Sequence, residues 1–449
     1  MTTRASVSPV NLLIRGGYVL TMDSPGDLAG GDVHVRDGVI QQIGRNIDAP
    51  EAELVDACGK IVAPGLVDTH WHMWNTLLRG LSDGRPTPDG PDRAGYFATC
   101  AGLGRHFLPG DMYAGTRLAA AEAIDAGITT VHDWSHNIRG ADWAEAELRA
   151  LAESGLRARF SYGYQAGHPN DRLMDLNGLA ALAADWPSHS AGGRLHLGAA
   201  WRGTGGSNPA MRVAPALYRA EIEAARGLAL PVSVHASGPA SAAGQVRTYS
   251  DAGLLGPDLQ VVHLNSASPE EIALAAAAGT PVSVSPWTEL QIGYGQPATG
   301  ALLGAGLPVG LSVDTTMLSG NADMFAIMKV TQACANAGAR HEFALTARDV
   351  LRLATIDGAR TLGLGAATGS LTVGKRADVI VVSADSPSLG VLTDPARLLV
   401  TAATPRDVEL VVADGRILKR DGVVTAFDVP EVVRAARAAL AGVLSRAGA

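Results

Sequence analysis

Cysteine is scarce in this sequence, and the few cysteines present are far apart. Cys58, Cys100 and Cys334 form no C-x-x-C pair. This spacing excludes both a disulfide framework and a thiolate zinc knuckle as the basis of the fold. We therefore expect a reduced protein located in the cytoplasm.

Long apolar runs and an excess of positive charge are also missing. No segment offers the unbroken apolar run of about 18 residues that a membrane span requires, and the N-terminal stretch MTTRASVSPVNLLIRGG contains no signal-peptide core. Asp and Glu total 44 against 36 Lys and Arg, which gives a formal net charge of -8. Such a charge disfavours binding to a phosphate backbone. We expect a protein that binds neither membranes nor nucleic acids and acts on a small molecule.

Short apolar runs with glycine-containing turns are present at both ends of the 449-residue chain. They read NLLIRGGYVLTMD and DVHVRDGVIQQIG near the start, and GSLTVGKRADVIVVSAD and DVELVVADGRILKRDGVV near the end. Runs of this kind predict short strands. The ends, residues 1–62 and 369–428, should therefore complete one small β-sandwich domain, followed by a helix over 429–449.

Between the two ends, strand-like apolar runs alternate with Ala-rich helical segments, which is typical of parallel βα units. Eight strands close a TIM-like (β/α)8 barrel, which we place over residues 63–368. The candidate strands are IVAPGLVDTH (61–70), ITTVHDW (128–134), RARFSYG (157–163), RLHLGAA (194–200), PVSVHAS (231–237), LQVVHLN (259–265), TPVSVSP (280–286) and PVGLSVD (308–314).

The C-terminal ends of these strands carry the residues best suited to bind a metal, because such barrels place their active sites there. His70 and His72 are two residues apart on a strand, so both side chains leave the same face. His235 ends the fifth strand and Asp314 ends the eighth. An unpaired carboxylate at the end of a buried strand would be unfavourable, and a metal ion resolves that problem.

Three imidazoles and one carboxylate form a nitrogen and oxygen donor set for one divalent ion. The set suits zinc first, and iron, manganese or nickel almost as well. The ion would lower the pKa of a bound water from about 16 towards 7, and Asp314 could accept the proton. The sequence therefore predicts a site for one metal on His70, His72, His235 and Asp314.

The motifs around these residues resemble the amidohydrolase superfamily, and within it the cytosine deaminase and triazine hydrolase (chlorohydrolase) branch. The matching segments are PGLVDTHWHMWNTLLRG, VSVHAS, VVHLNSASPEEI, GLSVD and GSLTVGKRADVIVV. The resemblance extends from about Asn11 to Val424. It implies a mononuclear site on the four residues above, with His263 polarising the substrate or orienting the water. No carboxylated lysine is expected, because RLHLGAA contains no lysine.

One position departs from that branch. Its deaminases carry a glutamate three residues after the fifth-strand histidine, which moves protons between water, ring nitrogen and leaving ammonia. Gly238 occupies that position here. Our hypothesis is that Glu289, in SPWTELQIGYG after the seventh strand, supplies the displaced carboxylate as a catalytic residue. The alternative is a salt-bridged loop residue.

Tryptophan is concentrated at or beside the ends of the predicted strands. This placement predicts an aromatic-walled pocket for a flat or apolar substrate. His136, in VHDWSHN, is a further candidate substrate contact, with a structural hydrogen bond as its alternative. The predicted tryptophan contacts are Trp71, Trp74, Trp134, Trp201 and Trp287.

Together these features predict a metal-dependent hydrolase that cleaves a carbon–nitrogen bond, or displaces chloride, on a small cyclic heteroaromatic or apolar compound. The alternative is a metal-dependent lyase, isomerase or cyclase, because Gly238 removes the usual proton shuttle. A noncatalytic barrel is a third reading, which the complete ligand set disfavours. Barrels of the family often dimerise, so we expect a homodimer or a higher oligomer.

Overall fold

Two sheets organise the chain, one formed by both ends and one by the middle. The computed structural model describes residues 10–23, 26–82, 95–205 and 212–448. In chain order, the strands are β1 (Leu12–Val19), β2 (Leu28–Arg36), β3 (Val39–Gly44), β4 (Glu53–Asp56), β5 (Ile61–Pro64), β6 (Leu66–Trp71), β7 (Ile128–Ser135), β8 (Arg157–Tyr162), β9 (Leu195–Ala200), β10 (Val232–Ala236), β11 (Leu259–His263), β12 (Val282–Val284), β13 (Val309–Leu311), β14 (Val379–Val382), β15 (Val408–Ala413), β16 (Arg416–Arg420) and β17 (Val423–Val424).

Helices connect and cover these strands. The α-helices are α1 (Tyr96–Gly104), α2 (Pro109–Asp125), α3 (Ala141–Ser154), α4 (Leu176–Ala184), α5 (Trp186–His189), α6 (Pro215–Gly227), α7 (Gln245–Asp251), α8 (Pro269–Ala277), α9 (Pro286–Gln291), α10 (Thr299–Gly304), α11 (Thr316–Ser319), α12 (Met324–Ala339), α13 (Ala347–Leu353), α14 (Ile356–Thr361), α15 (Pro395–Thr401) and α16 (Val429–Ala447). Short 3-10 helices lie at Met73–Leu78, Ala240–Ala242 and Pro405–Asp407. None of the described helices is long and apolar enough to cross a membrane.

The small sheet is mixed, and it combines strands from both ends of the chain. Its order is β17-β16-β15-β14-β5-β1-β2-β3, and β4 pairs with β1. The junction between the two ends is antiparallel, because β14 pairs with β5 through Ile380 opposite Ala63. The prediction that both ends complete one small β domain is therefore confirmed. The boundaries drawn after residues 62, 368 and 428 stay predictions.

The second sheet consists of eight parallel strands in the order β6 to β13. These strands are buried on both faces, as their apolar sequences predict. Backbone hydrogen bonds join the last strand segment to the first: Asp314 N donates to His70 O at 2.8 Å, and His72 N donates to Asp314 O at 2.7 Å. The predicted barrel is confirmed.

The first predicted strand needs a correction, because it divides at Gly65. Ile61–Pro64 belongs to the small sheet, and only Leu66–Trp71 enters the barrel. A Cβ on Gly65 would lie 2.1 Å from Thr129 Oγ1, so only glycine permits this approach to β7. The apolar run is continuous in sequence, and tertiary contacts decide where it bends.

The C-terminal helix α16 packs outside the barrel against α2. Arg117 Nη1 on α2 lies 2.7 Å from Glu431 Oε2 on α16, and Arg446 on α16 pairs with Asp111 on α2. Val432 and Val443 are buried on the inner face of α16. Helix α16 (Val429–Ala447) lies within the segment for which a helix was predicted, and it covers one side of the barrel.

Replacing Gly65 by alanine should destabilise the protein, because the new Cβ would overlap the buried Thr129 side chain. We expect a loss of about 1–3 kcal/mol in the free energy of unfolding, measured by chemical denaturation. Gly102→Ala is the matched control, since no atom lies within 4 Å of a Cβ at that helical position. Equal stability of the Gly65 variant and the wild type would contradict the argument.

Candidate active site

Four side chains converge at the C-terminal end of the barrel. Single ligand atoms of His70, His72, His235 and Asp314 all lie within 4.8 Å of one another. Asp314 Oδ1 lies 3.3 Å from His70 Nε2 and 3.4 Å from His72 Nε2. His235 Nε2 lies 3.1 Å from His70 Nε2. The four residues predicted as ligands are thus together, on strands far apart in sequence.

Strand geometry aims these side chains at one point. His70 and His72 flank the end of β6 on the same face, and His235 lies near the end of β10. Asp314 follows β13 with a φ of 64°, in the left-handed region, and its backbone bonds to β6 hold it there. The turn after β13 therefore directs the carboxylate towards the histidines.

The electrostatics of the cluster fit a cation. Burial, together with the neighbouring histidines, lowers the pKa values of His70, His72 and His235 well below the usual range, so their imidazoles are neutral. His72 Nδ1 donates to Trp134 O at 3.0 Å, which leaves the lone pair of Nε2 facing the cluster. Adjacent lone pairs and a buried carboxylate repel one another unless a cation lies between them. The donor set fits one divalent metal ion.

Asp68 binds the backbone beside two of the candidate ligands, and the sequence analysis missed it. Its buried carboxylate accepts hydrogen bonds from His70 N at 3.0 Å and from Val313 N at 2.8 Å. Burial raises the pKa of Asp68 well above its usual range, although these two bonds oppose the shift. Asp68 lies two residues before His70, so the alternation that related His70 to His72 could have revealed it.

His263 borders the cluster, with Glu289 behind it. His263 Nε2 lies 4.0 Å from Asp314 Oδ2, and His263 Nδ1 lies 3.2 Å from Glu289 Oε1. The fully buried Glu289 also accepts hydrogen bonds from Ser285 N at 2.8 Å and from Asn265 Nδ2 at 3.2 Å. Glu289 therefore contacts the site through His263, and Asn265 is a further residue that the sequence analysis missed.

The pKa of His263 differs from those of the other histidines in the cluster. Burial alone would lower it, but the hydrogen bond to Glu289 and the charges of Asp314 and Glu289 outweigh burial and raise the pKa. Burial also raises the pKa of Asp314, against the effect of His263 and His235. His263 is thus the imidazole of this group that most readily carries a proton.

Tyr294 fills the space beside Gly238. A Cβ at Gly238 would lie 2.7 Å from Tyr294 Cε2, so a larger residue there would overlap the phenol ring. The ring centroids of Tyr294 and His263 are 5.3 Å apart in a T-shaped arrangement. An aromatic ring therefore lies where a side chain at position 238 would extend. No sequence pattern indicated this pair, because the contact depends on how the loop after α9 packs.

Some of the predicted aromatic residues border the cluster. The Trp134 ring centroid lies 4.4 Å from that of His235, and the His136 centroid lies 4.2 Å from that of His72. Trp74 Nε1 donates to His136 Nδ1 at 3.4 Å, so His136 does make a structural hydrogen bond. Tyr164, which the sequence analysis missed although it follows β8, lies 5.9 Å from Trp134 between ring centroids.

The other three predicted tryptophans are not brought to the cluster. Trp71 lies between two inward-facing histidines, and alternation along β6 turns it into the hydrophobic core. Trp201 is buried in that core and packs against Tyr249, and Trp287 is 41% exposed on α9. Proximity to a strand end was therefore too coarse a criterion, because neighbouring side chains leave opposite faces.

Comparison with known proteins gives consistent similarities over the whole chain. Residues 61–418 match the profile of the Amidohydrolase family. The chain is 30% identical to the 5'-deoxyadenosine deaminase of Methanosarcina acetivorans, over 98% of this chain and 100% of that protein. It is 29% identical to the 5-methylthioadenosine/S-adenosylhomocysteine deaminase of Symbiobacterium thermophilum, over 96% and 98% of the two chains.

Two solved structures have the same fold. One is an adenosine deaminase from Xanthomonas campestris with bound zinc, with a TM-score of 0.82 and 24% identity over 98% of this chain and 100% of the other. Another is the atrazine chlorohydrolase of Arthrobacter aurescens in complex with zinc, with a TM-score of 0.84 and 22% identity over 96% and 100%. At this identity the likeness concerns the fold alone.

Removing a predicted ligand should remove the metal. We expect His235→Ala and Asp314→Asn to retain well below one equivalent of metal after dialysis, measured by inductively coupled plasma mass spectrometry, because each change deletes one of four donors. His341→Ala, at an exposed histidine outside the cluster, is the control and should match the wild type. A full equivalent of metal in both ligand variants would refute the assignment.

Proposed function

Because the chain belongs to the amidohydrolase family, we propose that it is a zinc-dependent hydrolase that cleaves a carbon–nitrogen bond on a small nitrogen heterocycle. One observation carries the proposal: the ligand atoms of three histidines and Asp314 lie within 4.8 Å of one another at the C-terminal end of the barrel, where barrels of this kind place their active sites. The deaminase names of the relatives support this bond type. The tryptophan and tyrosine rings beside the cluster support a flat substrate.

The two oxygens of Asp314 suit two tasks. Oδ1 faces His70 and His72, whereas Oδ2 faces His263 at 4.0 Å. We assign Oδ1 to hold the cation and Oδ2 to accept the proton of the attacking water. A divalent metal, when bound, supplies the Lewis acidity that activates water for hydrolysis.

His263 is the candidate proton donor to the substrate, and Glu289 keeps it in position. The hydrogen bond between Nδ1 and Glu289 directs Nε2 towards Asp314 and favours the protonated imidazole. Because the carboxylate oxygens of Glu289 already accept bonds from Ser285 N and Asn265, we propose that Glu289 acts through His263. Its role as a direct proton shuttle stays a prediction from the sequence.

The contact between Gly238 and Tyr294 favours two leaving-group chemistries over ordinary deamination of an adenine-like ring. A phenol ring beside Gly238 offers no carboxylate to shuttle protons to a ring nitrogen. Hydrolysis of a more activated amine, or displacement of chloride, depends less on a carboxylate that transfers protons to a ring nitrogen. The same contact is also compatible with a second candidate function, namely metal-dependent elimination, isomerisation or cyclisation, because these reactions do not need a deaminase-type proton shuttle.

Three finer assignments complete the proposal. Zinc is our choice of metal because the histidine-rich donor set suits it and because the two similar structures contain it. We also propose a homodimer or higher oligomer and a cytoplasmic location, as expected from the sequence. Mass photometry of the purified protein would test the oligomeric state.

An assay in labelled water should separate hydrolysis from the alternatives. We expect the zinc-loaded protein to release ammonia or chloride from at least one member of a panel of aminopurine nucleosides, aminotriazines and chlorotriazines. Mass spectrometry of a reaction in H2-18O should then find one solvent oxygen in the product, and Asp314→Asn should abolish turnover. Turnover without incorporation of solvent oxygen would favour elimination, isomerisation or cyclisation instead.

Glu289→Gln should lower kcat by about 10- to 100-fold, as is typical of residues that orient a functional histidine. Loss of the negative charge also lowers the pKa of His263, so the limb of the pH–rate profile that requires protonated His263 should move to lower pH. Metal content should stay at the wild-type level. Glu270→Gln, at an exposed glutamate, is the control. An unchanged kcat and pH profile would exclude a role for Glu289.

A further inference from the structure

Within the described part of the chain, Arg159 is a buried cation without an acidic partner. Its side chain is 6% exposed on β8, and among the described residues it forms no salt bridge. One guanidinium nitrogen, Nη2, donates to the backbone carbonyl of Leu362, whereas Nε is buried without a hydrogen-bond partner. A buried charge is unfavourable unless it is paired. The guanidinium thus lacks an anion.

A nearby arginine shows the usual arrangement. Arg157, two residues earlier on the same strand, lies 2.9 Å from Asp378 and 3.1 Å from Asp414. Both acidic residues belong to the region of the small sheet, so Arg157 joins the barrel to that sheet. Arg157 and Arg159 lie on the same strand, yet only Arg157 forms salt bridges among the described residues. The lack of an acidic partner is therefore specific to Arg159.

The neighbours of Arg159 add no negative charge. His196 on β9 lies opposite Arg159 in the strand register, and its Nε2 is buried without a hydrogen bond. Burial lowers the pKa of Arg159 to about 10, and burial together with Arg157 and Arg159 lowers that of His196 to about 4. At neutral pH the site therefore holds one unpaired positive charge and one neutral imidazole.

A cleft gives access to this charge from outside. It has a volume of about 480 Å³ and lies at the N-terminal end of the barrel strands, opposite the candidate metal site. Among the described residues that line it, Arg159 and His196 are the titratable side chains, and none is acidic. The remaining wall is apolar and includes Trp186, Leu228, Leu230 and Leu364. The cleft thus combines one cationic point with an aromatic and aliphatic surface.

We propose that this cleft binds a small organic carboxylate with a flat apolar body. The carboxylate pairs with Arg159, whose planar guanidinium matches the two oxygens of a carboxylate. The apolar body lies against Trp186 and the leucines. A small inorganic anion fits less well, because it would leave the apolar wall unused. This site is separate from the proposed catalytic centre and does not depend on the proposed reaction.

Isothermal titration calorimetry with benzoate on the metal-loaded protein tests the site. We expect saturable binding of one benzoate, binding of the neutral analogue benzamide at least about tenfold weaker, and similarly weak binding of inorganic phosphate. Arg159→Met, which keeps the length of the side chain, should weaken benzoate binding by at least about tenfold. Arg45→Met, at an exposed arginine, is the matched control and should bind benzoate like the wild type.

Two further variants keep the test decisive. Trp186→Ala should weaken benzoate binding while leaving the guanidinium in place, and it serves if Arg159→Met does not fold. Asp314→Asn, which damages the metal site, should bind benzoate as the wild type does. Loss of binding in Asp314→Asn but not in Arg159→Met or Trp186→Ala would place benzoate at the metal and overturn the proposal. Absence of benzoate binding to the wild type, or equal binding of benzamide or phosphate, would also overturn it.

Discussion

The closure of the barrel between β6 and the segment after β13 is the constraint on which the rest of the structure depends. Backbone bonds join His70 and His72 to Asp314, and the buried Asp68 carboxylate binds both sides of the seam through His70 N and Val313 N. Because three of the four candidate ligands lie on this seam, the contacts that complete the barrel also set the distances within the metal site. Fold and donor geometry therefore share one set of hydrogen bonds.

The glycine at position 238 is accompanied by an aromatic residue, Tyr294, that packs against it. Gly238 leaves space, and the ring of Tyr294 occupies it. Glu289, on α9, contacts His263 and also accepts a hydrogen bond from Asn265. The four candidate metal ligands are thus brought together, whereas Gly238 carries no carboxylate and Glu289 contacts His263.

The two ends of the barrel differ in their electrostatics. At the C-terminal end, His70, His72 and His235, whose pKa values burial lowers, surround the Asp314 carboxylate in a donor set that fits a cation. At the N-terminal end, Arg157 is neutralised by Asp378 and Asp414, whereas Arg159 faces a largely apolar cleft in which no described residue supplies a counter-charge. The two ends therefore carry buried groups of opposite charge, and the ligand that we propose for each end has the complementary charge.

The sequence by itself determined the strands of the barrel, the joining of the two chain ends and the four candidate ligands, because period-two alternation and the position of a residue at a strand end are local properties. Tertiary structure decided the rest. The break at Gly65 depends on Thr129, the role of Glu289 depends on His263, and the place of Tyr294 depends on Gly238. The tryptophans illustrate the same limit: Trp134 faces the cluster while Trp71 faces the core, because the direction of a side chain follows from the strand to which it belongs and from what packs against it. Contacts between residues distant in the chain leave no periodic pattern in the sequence, so only the packed structure reveals them.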